Sequence, residues 1–332
     1  MPDSGAHTGL EFPAFRARAP WWGGDLQTIR NSLARRFGFD DFLMPGTALE
    51  LSVADGSGDR LIALLNEGAG PARRPLAILV HGLTGCHESG YMVQTARYLT
   101  GLGHPVLRLN MRGAGPSAAT CGLRYHAGRG GDIAAALGAL DPILLREGVV
   151  LAGYSLGGSI LLNFLAHHTG DFPVRAAATV SAPIDLAAAA DRIMAPRNRI
   201  YHRYLLDRMK LDWAGLMRNR EERIALAQLA TIREFDDRLV APPNGFGTAD
   251  NYYAECSGAR VLGDLSIPTL MVHAADDPWI PAAAYRAVDW NGNPRLTPLL
   301  SAGGGHVGFH RRGGAPNWHD LCIGAFFATH AR

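Results

Sequence analysis

The sequence predicts an α/β fold: a mostly parallel central sheet with an antiparallel N-terminal hairpin and an inserted helical lid. Three observations predict it. Apolar runs rich in Val, Ile and Leu alternate with longer amphipathic or Ala-rich stretches from about Pro75 to His168, the pattern of βαβ units. The strand pattern lapses after residue 183 and returns at Ile267. Ahead of Pro75, residues 47–67 alternate around a Gly-rich turn, as an antiparallel hairpin at a sheet edge does.

Taken in order, residues 76–82 (LAILVHG) read as a buried strand, 87–103 as a helix closed by glycine, and 104–113 as the next strand. Residues 133–145 read as helix, 149–155 (VVLAGYS) as strand, 156–168 as a helix whose small residues permit close packing on the sheet, and 174–183 as a further strand. Strand patterns recur at 267–276 and 294–306, and a last helix lies around 316–330. Residues 184–263 are polar, aromatic and basic, most economically a helical lid. The expected organisation is therefore a core of 1–183 and 264–332, with 1–46 as an N-terminal extension packed on it, interrupted by the lid.

At 332 residues the chain is long enough for one large α/β domain with an insertion or for two smaller domains, and length alone does not choose. With 47% hydrophobic and 19% charged residues it has the balance of a compact chain with a sizeable core. Lys plus Arg (32) against Asp plus Glu (30) leaves +2, too weak a field to argue for nucleic acid as a partner. Cys86, Cys121, Cys256 and Cys322 show no CxxC pair and no zinc-like spacing, so they read as reduced thiols. No basic-then-apolar leader opens the chain, and no run of roughly 18 apolar residues offers a spanning helix. The expectation is a cytoplasmic protein with no integral membrane segment.

Gly153-Tyr154-Ser155-Leu156-Gly157 fits G-x-S-x-G, and it stands between an apolar strand and an apolar helix. A strand turning sharply into a helix holds its serine in a strained conformation, and the flanking glycines remove Cβ atoms that would strike neighbouring elements. Ser155 is thus a candidate nucleophile. His81-Gly82-Leu83-Thr84-Gly85 follows an earlier strand, where a loop of this kind supplies half of an oxyanion hole. The backbone N–H groups of Leu83 and Leu156 are the candidate donors. His81 itself reads as a residue that braces its loop.

The carboxylate is expected at the tip of a late strand, where Asp276 and Asp277 stand side by side. Asp277 lies four residues before Pro281, the D-x-x-[IV]-P spacing, and is favoured; Asp276 would then cap the turn or helix that follows. Gly303-Gly304-Gly305-His306 ends the last strand pattern, and a near-neutral imidazole on a glycine loop suits general-base work, so His306 is the candidate base. The order Ser155, Asp277, His306 is that of the α/β-hydrolase fold and differs from the chymotrypsin order. Residues 112–117 lack a Walker lysine and read as a tight loop, and the His and Asp near 273–277 lack metal-site spacing; no cofactor is implied. In the insertion, Tyr201, Tyr204, Leu205 and Met209 fall at helical spacing. Such a stripe could touch an acyl chain, form lid core, or meet a membrane surface. Tyr201, Tyr204 and Trp279 are the candidate substrate contacts.

Beyond these residues, the chain resembles the YheT-like branch of α/β-hydrolases, the group related to the eukaryotic ABHD1 and ABHD3 proteins. The resemblance runs through Asp25-Leu26-Gln27-Thr28, HGLTG (81–85), MRGAGPS (111–117), GYSLGG (153–158), RYLL (203–206), REFDD (233–237), YYAECS (252–257), VHAADDP (272–278) and GGGHVGF (303–309). It implies a carboxylic-ester serine hydrolase acting on short- to medium-chain acyl esters or lipids through Ser155, Asp277 and His306. Relatives often carry histidine where Asp25 stands. Alternatives on the same fold are an acyltransferase or thioesterase using the same three residues, and a non-catalytic binding protein.

Overall fold

The computed structural model describes residues 10–38, 43–70, 73–170 and 172–331. Its centre is an eight-stranded sheet in the order β1-β2-β4-β3-β5-β6-β7-β8. The strands are β1 (Thr47–Ser52), β2 (Arg60–Asn66), β3 (Leu76–Val80), β4 (Val106–Leu109), β5 (Val149–Tyr154), β6 (Val174–Val180), β7 (Thr269–Ala274) and β8 (Leu296–Ser301). β1 and β2 form the antiparallel hairpin at one edge, β2 runs antiparallel to β4, and every other pairing is parallel.

Helices cover both faces, which is why the central strands are apolar on both sides. In β3, Leu76, Ile78 and Val80 enter one core with α3 (Gly130–Ala139) and α4 (Leu156–His167). Ala77 and Leu79 enter the other with α2 (Gly90–Gly101) and the last helix, Trp318–His330. β5 divides likewise, with Val149 and Leu151 on the first side and Val150, Ala152 and Tyr154 on the second.

Several elements are shorter than their sequence patterns, for local reasons. The 133–145 pattern breaks at Leu140, and a separate 3-10 turn, Pro142–Leu145, starts where proline supplies no N–H to continue the helix. The last strand stops at Ser301, because the glycines after it enter left-handed backbone, Gly304 at φ 142° and Gly305 at φ 58°.

Between β6 and β7 lies a run of helices: α5 (Leu186–Met194), α6 (Arg199–Ala214), α7 (Arg220–Gln228), α8 (Ile232–Phe235) and α9 (Ala249–Cys256), with a π turn at Asp236–Val240. Short polar residues set their starts. The side chains of Asp185, Asn219, Thr231 and Thr248 each accept an N–H of the first turn of α5, α7, α8 and α9. Their inner faces make a third apolar cluster, including Leu205, Met209, Phe235 and Tyr252, which rests on Leu83, Leu156 and Trp279 of the sheet's loops.

Ahead of the sheet, α1 (Gly24–Phe37) packs near α2 and ends at Gly38 in left-handed backbone, φ 67°. The segment before it is pinned to the end of the chain: the Trp318 indole N–H donates to the Pro13 carbonyl, and Ala17 bridges Arg311.

Candidate active site

Three loops at the carboxyl edge of the sheet converge. The first is the turn from β5 to α4. Ser155 sits there at φ 51°, ψ −126°, a conformation costly for a residue with a Cβ. The turn is possible because its neighbours are glycines: a Cβ on Gly153 would lie 2.5 Å from the Gly157 carbonyl, and one on Gly157 would lie 2.5 Å from the Val80 carbonyl. The strained turn lifts the hydroxyl clear of the sheet.

The second loop follows β7 and carries Asp277, 3% exposed. Its Oδ1 accepts the N–H groups of Trp279 (2.8 Å) and Ile280 (3.0 Å), which fixes the carboxylate plane. Its Oδ2 lies 2.9 Å from His306 Nδ1. Burial alone would raise this carboxyl's pKa, but the charge and hydrogen bond of His306, with help from His273 and the Ile280 N–H, outweigh it and hold the pKa below the ordinary value. A carboxylate only accepts, so the proton of the imidazole belongs on Nδ1. That leaves Nε2, 2.8 Å from Ser155 Oγ, to accept the hydroxyl proton.

The third loop, Gly303 to Phe309, carries His306 and is braced from two sides. Asp276 Oδ1 accepts the Gly305 N–H at 2.9 Å, so Asp276 does not cap the following turn or helix; it ties the acid loop to the histidine loop. Thr28 Oγ1 on α1 accepts the His306 N–H at 2.8 Å and donates to the Gly24 carbonyl at 2.7 Å. Gln27 beside it accepts the His310 N–H (2.6 Å) and donates to the His310 carbonyl (3.2 Å). The string Asp25-Leu26-Gln27-Thr28 thus has a physical role that its residue types alone did not disclose. The indole of Trp279 stacks on the His306 ring at 4.4 Å and 29°, closing its outer face.

Facing the serine is the loop after β3. The Gly82 and Thr84 N–H groups donate to the hydroxyls of Tyr91 (3.0 Å) and Tyr125 (2.6 Å), and the Gly85 N–H to the Gly82 carbonyl (3.1 Å). Among the described residues the N–H groups of Leu83 and Leu156 take no acceptor. His81 is fully buried, with Nδ1–H donating to the Gly82 carbonyl (2.8 Å) and Nε2 accepting the Met111 N–H (3.1 Å). Burial lowers its pKa to about 4, so it is a neutral brace.

Beside Leu83 and Leu156 a small cleft of about 40 Å³ lies beneath the inserted helices, walled by Met209 and Trp213 of α6, Phe235 of α8, Val240 and Tyr252. Its polar lining includes Arg124, Asp212 and Asp236. Asp236 donates nothing when ionised but accepts the Tyr253 hydroxyl at 2.6 Å, and burial pushes its pKa up to about 7. Of the candidate substrate contacts, none of Tyr201, Tyr204 and Trp279 lines this cleft; Trp279 packs instead between the rings of His306 and Tyr201. The Tyr201 hydroxyl donates to Asp25 Oδ1 (3.0 Å) beside the Arg197–Asp25 ion pair (2.7 Å), joining α6 to α1, and Tyr204 is 49% exposed. Trp213 stands four residues after Met209 on α6, so the helical spacing of that stripe reaches it; Phe235, Val240 and Tyr252 come from other elements and are missed for that reason. Only their shared apolar character was available as a signal, and core residues have it too.

Comparison with known proteins fits this architecture. The sequence model of the α/β hydrolase fold matches residues 75–312, and the chain belongs to that family. Within it, the chain belongs to the branch related to YheT and ABHD3. It is 34% identical to YheT of Escherichia coli (strain K12) over 244 residues, 71% of each chain. It is 30% identical to phospholipase ABHD3 of Mus musculus over 240 residues, 71% of this chain and 58% of that protein, and 28% identical to a monoacylglycerol lipase of Saccharomyces cerevisiae, again spanning 58% of the relative. The solved structure of the Pyrococcus furiosus esterase Pf2001 superposes over 98% of this chain and 100% of its own with a TM-score of 0.61 at 13% identity, a likeness of fold.

Proposed function

We propose that Ser155, His306 and Asp277 form a nucleophile, base and orienting acid that hydrolyse carboxylic esters of short to medium acyl chains or of lipids. The chain is an ester-hydrolysing α/β hydrolase, in keeping with relatives named for phospholipase and monoacylglycerol lipase activity. The observation that carries the residue assignment is the continuous relay from Ser155 Oγ through His306 to Asp277, at 2.8 and 2.9 Å.

In this reading His306 Nε2 takes the serine proton as Oγ attacks the ester carbonyl, and Asp277 stabilises the imidazolium that results. The oxyanion is received by the N–H groups of Leu83 and Leu156, donors that need not break an existing hydrogen bond first. His306 then returns the proton to the leaving alcohol. Water, activated the same way, releases the acid and restores the serine. The inserted helices 184–263 act as a lid over the acyl cleft, with the core of 1–183 and 264–332 beneath. No cofactor enters. Four free cysteines support a cytoplasmic setting.

Turnover of p-nitrophenyl butyrate, with product analysis in water and with added alcohol or thiol acceptors, tests the reading. The wild type should release butyric acid, and Ser155→Ala should lose activity by roughly 10⁴–10⁶ in kcat. Undiminished turnover in Ser155→Ala overturns the nucleophile, and dominant transfer to the acceptor makes the enzyme an acyltransferase.

A further inference from the structure

Helix α6 has two apolar faces, and among the described residues only one of them is packed on by the fold. Leu205, Leu206 and Met209 point inward and are 2–5% exposed. At 100° per residue, Ile200, Tyr204 and Leu211 fall together on the opposite side, and they are 83%, 49% and 68% exposed.

Charge accompanies it. Arg203 and Arg208 flank the stripe, and both are exposed. The acidic residue on that side, Asp207, lies 3.8 Å from Arg203. Residues 197–223 hold eight Arg or Lys against four Asp or Glu, but Arg197 pairs with Asp25 of α1 (2.7 Å) and Lys210 donates to the Ala227 and Leu229 carbonyls, so the charge beside the stripe is that of Arg203 and Arg208 against Asp207. The exposure continues onto α1. Trp22 (63%) and Leu26 (40%) stand at the end of that helix which Asp25 fastens to Tyr201 of α6.

We propose that the outer face of α6 is a docking surface for an anionic phospholipid bilayer. Exposed Ile, Leu, Tyr and Trp flanked by arginines are the chemistry that lies in a lipid–water interface, the apolar groups entering the acyl boundary and the guanidinium groups meeting lipid phosphates. A protein partner would have to match the same stripe residue by residue, whereas a bilayer needs only the arginine excess. The inner face of the same helix supplies Met209 and Trp213 to the cleft beside Leu83 and Leu156. Docking would therefore set the cleft about one helix diameter, roughly 10 Å, from the lipid. The inference deepens the ester-hydrolase reading by naming a lipid aggregate as the place where substrate is met.

Co-sedimentation of the full chain with phosphatidylglycerol–phosphatidylcholine vesicles, against phosphatidylcholine alone, tests it. The wild type should pellet with the anionic vesicles in low salt and be released near 1 M salt, where screening shortens to about 3 Å. Ile200→Glu with Leu211→Glu should lower the partition coefficient at least about tenfold, and Arg203→Gln with Arg208→Gln about 30-fold. Both pairs should turn over p-nitrophenyl butyrate like the wild type, which shows that they fold. Ser155→Ala should bind vesicles fully, so absent vesicle binding with intact turnover overturns this inference alone, and turnover by Ser155→Ala overturns the site alone. Equal binding to neutral vesicles, or undiminished binding by the glutamate pair, also overturns it. So does a wild-type dimer that the glutamate pair makes monomeric, which would give the face to a second copy.

Discussion

The sheet side and the helical side of the site are held by different means. On the sheet side, Ser155, Asp277 and His306 are fixed by backbone: a strained turn between glycines, two N–H groups on Asp277 Oδ1, and brackets from Asp276 and Thr28 on the histidine loop. On the helical side, Met209, Phe235 and Tyr252 are fixed by one another, through packing of helices whose starts are set by single capping residues. Backbone devices position atoms to tenths of an ångström, as proton transfer requires, while side-chain packing sets a shape that can differ among relatives without disturbing the chemistry.

The largest effects belong to the backbone-held side. His306→Ala should lower kcat by roughly 10⁴–10⁶ and Asp277→Asn by about 10⁴. Asp276→Asn, which keeps an acceptor for the Gly305 N–H, should cost no more than about tenfold. Steady-state kinetics on one soluble ester gives all three, and equal losses at the two aspartates would erase the distinction between relay and bracket.

The helical side should declare itself through pH. The Asp236 carboxyl is pushed up to about 7 by burial, against 3.8 for the free group, so the folded state keeps a proton that the unfolded chain releases in between. More protons bound when folded means that stability falls as pH rises from about 4 to about 7 and is level above. Denaturant midpoints of the wild type relative to Asp236→Asn should drop across that window, by about 4 kcal/mol at most. Parallel curves would place Asp236 in contact with water.

A smaller effect lies where α1 meets the histidine loop. Thr28→Val leaves the His306 N–H without its acceptor and should lower kcat by about tenfold at nearly constant KM, with Thr28→Ser restoring it. A change in KM alone would make α1 part of the substrate site.

The same division governs what could be read in advance. The elbow serine, the HGLTG loop, Asp277 and His306 can be picked out as strings because each follows a strand and depends on glycines or on fixed spacing, and the structure brings the three side chains together. The strands β3, β5 and β7 were legible because burial on both faces makes them apolar throughout. Asp276 was read as a local cap because sequence shows neighbours, whereas its partner Gly305 is 29 residues away. Thr28 is 278 residues from His306, and no periodicity reports a bond of that span. In α6 the stripe containing Tyr201, Tyr204, Leu205 and Met209 was visible, but not its division. Met209 turns to the cleft, Tyr201 to Asp25, and Tyr204 to solvent, a choice made by what packs on the helix.

The most direct test of the central claim is to treat the protein with a fluorophosphonate and map the adduct by peptide mass spectrometry while following ester turnover. One adduct, on Ser155, rising in step with loss of activity and absent from His306→Ala over the same interval, is the predicted result. An adduct on another residue, or full turnover by protein labelled at Ser155, would contradict it.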